Sequence, residues 1–229
     1  ILFESSKEAG EWMYRKGDFE VVSNGIDIEK FIYSSSIRQK IRKELKLEDA
    51  FVIGHVGRFE KVNNHQLIID TFAKYITINP KAVLMLVGRG SLYSKIVNYV
   101  EEKKLNKNVL FMGMREDVNE LYQCMDVFFF PSVFEGLGIV AIEAQSADLV
   151  CLLSDAIPHE VDITDKIVRC GVDKPIEGWV EKLCKAQRIS SEKTRTNNIS
   201  KIRDAGFDVK ESTKKLEKIY MDMMISEAE

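Results

Sequence analysis

Two glutamates eight positions apart, Glu135 and Glu143, bracket the segment Gly136-Leu137-Gly138-Ile139, and an apolar run from Val127 to Phe130 breaks at Pro131 just before them. Carboxylates accept hydroxyl protons, and glycines let a ligand approach the backbone closely. The first amides of a helix starting near Leu137 would lack an intrahelical acceptor and favour an anion. The pattern suits a ligand with phosphate at one end and hydroxyls at the other. Taken singly, Glu135 could merely complement a helix dipole and Glu143 could be solvated. Placed together with Gly136 and Gly138 where a core strand turns into a helix, they read better as a site. An acid/base pair for hydrolysis is open to any two carboxylates, but linear spacing does not fix their separation in space.

A second candidate lies upstream, where Gly57-Arg58-Phe59 follows the apolar run Phe51 to Val56. Arg58 carries a permanent charge on a planar fork that matches a diphosphate, and Lys61 could add a second charge. Gly88-Arg89-Gly90 repeats the order of strand then glycine, although two glycines around an arginine fit a tight turn equally well. His55, His65 and His159 are dispersed, and neither D-x-D nor H-x-x-x-H spacing occurs, so no metal site is expected. A G-x-G-x-x-G after the first long strand, which a dehydrogenase would need, is missing.

These residues need elements to position them. Apolar runs at Phe51–Val56, Ala82–Val87, Val109–Met112, Asp126–Phe130, Val150–Leu153 and Ile167–Val168 read as strands. Amphipathic stretches at Asn64–Ile76, Leu92–Lys103, Val118–Cys124 and Gly138–Ser146 alternate with them as helices. Strands that are apolar along their whole length predict a Rossmann-like α/β fold, a parallel sheet with helices on both faces. Ligands of such sheets bind beyond the carboxyl ends of the strands, which singles out the loops after Val56, Val87, Met112 and Phe130. Earlier in the chain, Ser5–Tyr14 reads as a short helix, Phe19–Ser23 as a strand, and Asn24 to Asp27 as a turn in which Gly25 takes positive φ. Beyond Pro175, helices are expected at Ile176–Gln187, Ser191–Ala205 and Val209–Met224, the last capped by Asp208.

With 229 residues the chain can bury a sizeable core, and 45% hydrophobic against 30% charged residues is the balance of an ordinary globular protein. A net charge of -3 excludes a generally basic nucleic-acid binder. The longest apolar stretch is too short to span a bilayer and no secretory signal opens the chain, so a cytoplasmic protein is expected. Cys124, Cys151, Cys170 and Cys184 show no C-x-x-C pairing and read as reduced, small hydrophobes. A chain opening Ile1-Leu2-Phe3 does not start where translation starts and is expected to be part of something longer or processed.

From about Ser5 to Val161 the motifs resemble the C-terminal, donor-binding half of a GT-B-fold retaining glycosyltransferase of family 4, of the capsule and exopolysaccharide type. The residues that carry the resemblance include Ser6 to Gly10, Asn24-Gly25-Ile26-Asp27 with Phe31, Gly57-Arg58-Phe59 with Asn64-His65, and Phe111-Met112-Gly113 with Asp117-Val118. Above all there is Phe134-Glu135-Gly136-Leu137-Gly138 through Glu143-Ala144, similar to the family's E-x7-E signature. The resemblance implies that Glu135 contacts donor-sugar hydroxyls, Glu143 holds the ribose, and main-chain amides from Gly136, Leu137, Gly138 and Ile139 meet sugar and diphosphate. It implies that Arg58 neutralises the leaving phosphate, with Gly57 and Lys61 beside it, and that Gly88 and Gly113 to Arg115 border the base. A nucleotide-sugar donor, a UDP-sugar first among them, a saccharide or lipid-linked acceptor and no cofactor or metal are implied. So are a separate N-terminal acceptor domain, of which residues 1–17 would be a remnant or linker, a donor-binding domain over 18–205 followed by a C-terminal helix over 206–229, and a place at the inner face of the membrane, with room for peripheral association. An arginine, a lysine and a helix amino end can absorb the charge of a departing nucleoside diphosphate in place of a divalent ion.

The sequence departs from that pattern in places. Asn63 stands where relatives put a phosphate-binding lysine, and Asp148 and Val150 stand where they carry Gly and Pro. Two further readings stay open: a degenerate donor module that partners another glycosyltransferase chain, and a sugar-nucleotide epimerase, for which no histidine or carboxylate set calls.

Overall fold

The computed structural model of the chain describes residues 2–4 and 19–226. The helix expected over Ser5–Tyr14 lies outside the described residues, as does most of the segment 1–17. Strands β1 (Leu2–Glu4) and β2 (Phe19–Val21) pair in parallel. The main sheet contains β3 (Phe51–Val56), β4 (Ala82–Val87), β5 (Val109–Gly113), β6 (Val127–Phe130), β7 (Val150–Ser154) and β8 (Ile167–Cys170). Their order is β5-β4-β3-β6-β7-β8, with every neighbouring pair parallel.

Eight α-helices accompany the strands among the described residues: α1 (Ser35–Glu44), α2 (His65–Tyr75), α3 (Tyr93–Glu102), α4 (Val118–Cys124), α5 (Ile139–Ser146), α6 (Ile176–Glu192), α7 (Ile199–Asp204) and α8 (Val209–Ser226). The pleat sends alternate strand residues to opposite faces. Val52, Met85, Phe128, Phe130 and Cys151 pack with α1, α4, α5 and α7. Ile53, Leu84, Leu86, Val127 and Phe129 pack with α2, α3 and α6. Two cores therefore sandwich one sheet, the α/β arrangement that the strand and helix patterns predict.

Several expectations are corrected. Helix α1 was not expected; Ser34 caps it, its hydroxyl accepting the Ile37 N–H at 3.3 Å. Gly25 does not adopt positive φ. It is small because a Cβ there would lie 2.5 Å from the backbone of Val209, so the start of α8 presses on this turn. The helix expected over Ser191–Ala205 divides: α6 continues to Glu192, an irregular segment follows, and α7 begins at Ile199. Asp208 does cap α8, accepting the Lys210 N–H at 3.0 Å.

The irregular segment has a physical cause in Asp148. This residue sits at φ 54°, a left-handed conformation that costs little for glycine and more for aspartate. Its side chain offsets that cost. The buried carboxylate accepts from Lys166 Nζ at 2.7 Å, from Asn198 Nδ2 at 2.6 Å and from the Thr196 N–H. Lys166 in turn donates to Thr194 O at 3.3 Å. A helix through 193–198 would break these contacts.

Three arginines perform a similar service at the carboxyl end of α4, where carbonyls lack helical partners. Arg38 and Arg195 donate to Gln123 O, Arg42 donates to Cys124 O, and Arg195 also reaches Ala147 O. Asp126, at the start of β6, offsets part of their charge by pairing with Arg38 and Arg42. Burial lowers Arg195 to about 10, still charged at neutral pH. The four cysteines are free thiols, and Cys124, Cys151 and Cys170 are buried.

Asp148→Ala leaves Lys166 as a buried, unpaired ammonium and is expected to cost about 3–5 kcal/mol of unfolding free energy. Urea denaturation followed by circular dichroism checks it, and a loss below about 1 kcal/mol would show that the clamp is dispensable.

Candidate functional site

Three loops at the carboxyl edge of the sheet are stitched to one another by backbone. Gly57 N–H donates to Val87 O at 3.0 Å, Phe59 N–H to Arg89 O at 3.1 Å, and Gly88 N–H to Gly113 O at 2.8 Å. Leu92 N–H returns to Phe59 O at 2.8 Å. Gly88, at φ 133°, has no room for a Cβ, which would strike Gly57 O. Gly90 is as tight, its Cβ position lying 2.6 Å from Phe59 O. The glycines of Gly88-Arg89-Gly90 thus let one loop lie on the other, and this contact supports the Arg58 loop from behind. Glu60 adds a polar tie, accepting from Ser91 N–H at 2.8 Å and Ser91 Oγ at 2.7 Å. Those two hydrogen bonds, helped by the charge of Arg58, hold its carboxyl below the usual range.

Arg58 is exposed and makes no ion pair among the described residues. Its charge acts on Glu135, which follows the neighbouring strand β6. Ser132 Oγ lies 2.6 Å from Glu135 Oε1. Ser154 Oγ donates to Ser132 O, so β7 helps to fix the same segment. Burial pushes the Glu135 carboxyl up from its ordinary value, against the opposing pull of the Ser132 hydroxyl and Arg58.

Gly136 is open, with nothing within 4 Å of a Cβ position, whereas Leu137 is buried. Gly138 adopts φ 83° as the N-cap of α5, which starts at Ile139. The helix's free amides therefore begin at Ile139, two residues beyond Leu137. Glu143, in the second turn of α5, is held by Tyr122, whose hydroxyl donates to Oε2 at 2.9 Å. Burial raises its carboxyl pKa, and the tyrosine hydrogen bond partly opposes the shift.

Beneath the Arg58 loop two imidazoles are buried. His55 Nδ1 lies 2.9 Å from Phe129 O, and since a carbonyl only accepts, that nitrogen carries the proton. Burial lowers His55 to about 4 and His65 to about 2, so both are neutral at neutral pH. His65 stacks on Phe59 at 4.0 Å and meets the His55 ring edge-on at 4.7 Å. Asn63 is buried against this group, its Nδ2 3.0 Å from the Cβ position of Gly57. Its amide fills space under the loop, while Lys61 remains exposed on the 3-10 turn Lys61–Asn63.

Gly57, Arg58, Lys61 and Asn63 follow β3, Gly88 follows β4, and Glu135, Gly136, Leu137 and Gly138 follow β6, all at the carboxyl edge of the parallel sheet, while Ile139 and Glu143 belong to the first two turns of α5. Gly113, at φ 68°, lies farther along that edge, 3.7 Å from Arg89 Nε as measured from its Cβ position. Arg115 is tied to Asp117 by two hydrogen bonds, Nε to Oδ1 being 2.7 Å, so its fork is already occupied. Sequence reasoning passed over Ser132, Tyr122 and Glu60. Ser132 carried a signal, a hydroxyl directly after the proline that ends a core strand; Tyr122 carried none, because its link to Glu143 spans 21 residues. For Arg89 the spacing left a tight turn and a ligand contact equally open; the residue is exposed, and its guanidinium carbon lies 4.5 Å from the Tyr93 ring centre. No cluster of three or more His, Cys, Asp or Glu able to hold a metal occurs among the described residues.

The family model described as Glycosyl transferases group 1 matches residues 36–201. A putative glycosyltransferase EpsF of Bacillus subtilis (strain 168) is 29% identical over 226 residues, covering 96% of this chain and 59% of that protein. The UDP-Gal:alpha-D-GlcNAc-diphosphoundecaprenol alpha-1,3-galactosyltransferase of Escherichia coli is 29% identical over 220 residues, covering 90% of this chain and 54% of the relative. The chain thus spans somewhat over half the length of these relatives. Among solved structures, Anabaena Alr3699/HepE in complex with UDP superimposes with a TM-score of 0.76 at 20% identity, covering 97% of this chain and 64% of that one.

Gly88→Ala should cost more stability than Gly113→Ala. Both put a Cβ on a positive-φ backbone, worth about 1–2 kcal/mol, but only Gly88 also meets a carbonyl oxygen. Denaturant midpoints of the two variants check this; equal losses would mean that the loop-on-loop contact can relax freely.

Proposed function

The chain belongs to the glycosyl transferases group 1 family, and on that premise we propose that it supplies the donor-binding half of an enzyme that moves a hexose from a nucleotide diphosphate sugar to a saccharide or lipid-linked acceptor with retention. The observation that carries this reading is the convergence of Arg58, Glu135 and the amino end of α5 on one edge of the sheet, with Glu143 fixed by Tyr122 in the second turn of that helix. The diphosphate lies against Arg58 and the first amides of α5. Glu135 accepts sugar hydroxyls and Glu143 accepts those of the ribose, while the base extends past Gly88 towards Gly113. When the bond from the anomeric carbon to the diphosphate breaks, the leaving oxygen takes the electron pair. Arg58 and the helix amino end stabilise that charge where it develops.

A UDP-sugar is the donor we favour, supported by the UDP bound to a protein of the same fold. A lipid-linked acceptor is supported by the relative whose name specifies a diphosphoundecaprenol sugar. Action at the inner face of the membrane follows from such an acceptor, with peripheral association. No helix among the described residues is long and apolar enough to cross a membrane. In this reading residues 18–205 form the donor domain, 206–229 a C-terminal helix, and a separate N-terminal domain presents the acceptor, so the chain alone transfers weakly or not at all.

Asn63 favours a second reading, a degenerate donor module that serves as partner to another chain. Its amide is buried under Gly57 and brings no charge to the phosphate.

Calorimetric titration with UDP-, GDP- and ADP-sugars should show binding for at least one, and Arg58→Ala should weaken it about ten- to a hundredfold, the worth of a charge-assisted hydrogen bond. Heat from none of them would overturn the donor-site reading. Asn63→Lys is expected to tighten diphosphate binding about tenfold or more by the same measure. Unchanged affinity would leave that role to Lys61 or to no residue.

A further inference from the structure

Ser132 carries a single hydroxyl proton, yet three oxygens that ordinarily accept surround its Oγ. Glu135 Oε1 lies at 2.6 Å, Val62 O at 2.9 Å and Phe134 O at 3.4 Å. The residue is fully buried, so bulk solvent takes no part in the arrangement. One proton serves both short contacts only as a bent, weakened three-centre hydrogen bond, and two oxygens at such a distance with no hydrogen between them repel. The count closes if the Glu135 carboxyl brings a proton of its own. Glu135 then donates to Ser132 Oγ, and Ser132 donates to Val62 O. The 2.6 Å contact falls within the range for a hydrogen bond between two oxygens.

We propose that Ser132 is a positioning residue that holds Glu135 protonated before the donor arrives, and that donor-sugar hydroxyls displace this arrangement, the carboxyl ionising and releasing its proton to solvent as it accepts their hydrogens. The inference rests on the donor-site reading above. It also couples the two halves of the site. Val62 O receives the Val133 N–H at 2.8 Å as well as the serine hydroxyl, and Val62 is the middle residue of the turn that carries Lys61 and Asn63. A shift of the phosphate-side turn therefore moves the group that orients Glu135.

The charges around Glu135 are few. Arg58 on the β3 loop and the amino end of α5 favour the ionised form. His55 and His65 below the loop are neutral, and Ser132, Phe134 and Ser154 carry no charge. Burial is the larger influence on this carboxyl and raises its pKa. Committing the serine proton to Val62 O removes the opposing pull of the hydroxyl and leaves its oxygen as an acceptor for the carboxyl proton.

The test is calorimetry with UDP-glucose, whose diphosphate does not titrate near neutral pH, in buffers of different ionisation enthalpy and across a pH series. The wild-type chain should release a proton on binding, with affinity rising by up to about tenfold per pH unit along an acid limb and then levelling. Glu135→Gln keeps a donor to Ser132 and should bind with a flat pH profile and no proton release. Ser132→Ala removes the acceptor that stabilises the protonated carboxyl, so its limb should move to lower pH, and Ser132→Thr should restore it. A limb that moves to higher pH in Ser132→Ala would mean that the serine donates to a carboxylate, and would overturn the proposal. So would an unmoved limb, or binding by the wild type without proton release, each of which leaves the donor-site reading standing. Absence of UDP-glucose binding by a folded wild-type chain overturns both.

Discussion

Burial of the parallel sheet on both faces is the constraint from which the rest of the structure follows. Strands such as Val127–Phe130 are apolar at every position because each face meets a core, and both can be covered only if helices connect successive strands. All strand exits then gather at one edge. Strand order decides which exits are neighbours: β6 lies next to β3, so Glu135 comes beside Arg58 although 77 residues separate them in the chain. β4 and β5 follow on the far side of β3, which spreads Arg89 and Gly113 along the same edge. An extended ligand with a sugar, a diphosphate and a nucleoside matches that linear arrangement.

Proximity alone would not make a site, because loops with free polar groups are mobile unless something orders them. Here backbone does much of that work. The Arg58 loop rests on Gly88 and Gly90, which offer no side chain to keep the two apart. Below it, His55, His65 and Phe59 form a packed aromatic floor that burial keeps uncharged. Arg58 therefore stands out from a packed, neutral base and makes no ion pair among the described residues. Four other arginines are spent on structure: Arg38, Arg42 and Arg195 satisfy carbonyls at the end of α4, and Arg115 is paired with Asp117.

The departures from the family pattern find different explanations. Asp148, in the place of a glycine, keeps the left-handed backbone and gains a buried cation, an amide and a backbone N–H as partners. That gain reaches the C-terminal segment, whose path from Thr194 to Asn198 is set by it. Asn63 has a local effect, since its amide is taken into the packing under Gly57 and the nearby positive charge is left to Arg58 and Lys61.

Much of the fold was legible in the sequence, because hydrophobic period and strand length are local properties. β3, β4 and α4 fall where the apolar runs place them, and most other elements differ by a residue or two at their ends. The motif around Glu135 and Glu143 was equally legible, as glycines and carboxylates at a strand-to-helix turn carry their chemistry in their spacing. Helix α1 was overlooked because its pattern is mostly polar, and the break between α6 and α7 was overlooked because its cause, Asp148, lies some 50 residues away. The sequence by itself determined which segments become strands and helices and which side chains could carry charge or accept hydroxyls. Only the tertiary structure decided that Tyr122 holds Glu143, that Ser132 meets Val62 as well as Glu135, and that Arg58 makes no ion pair among the described residues while Arg115 does. The contacts of Tyr122 with Glu143 and of Ser132 with Val62 join segments far apart in the chain, which one-dimensional spacing does not contain.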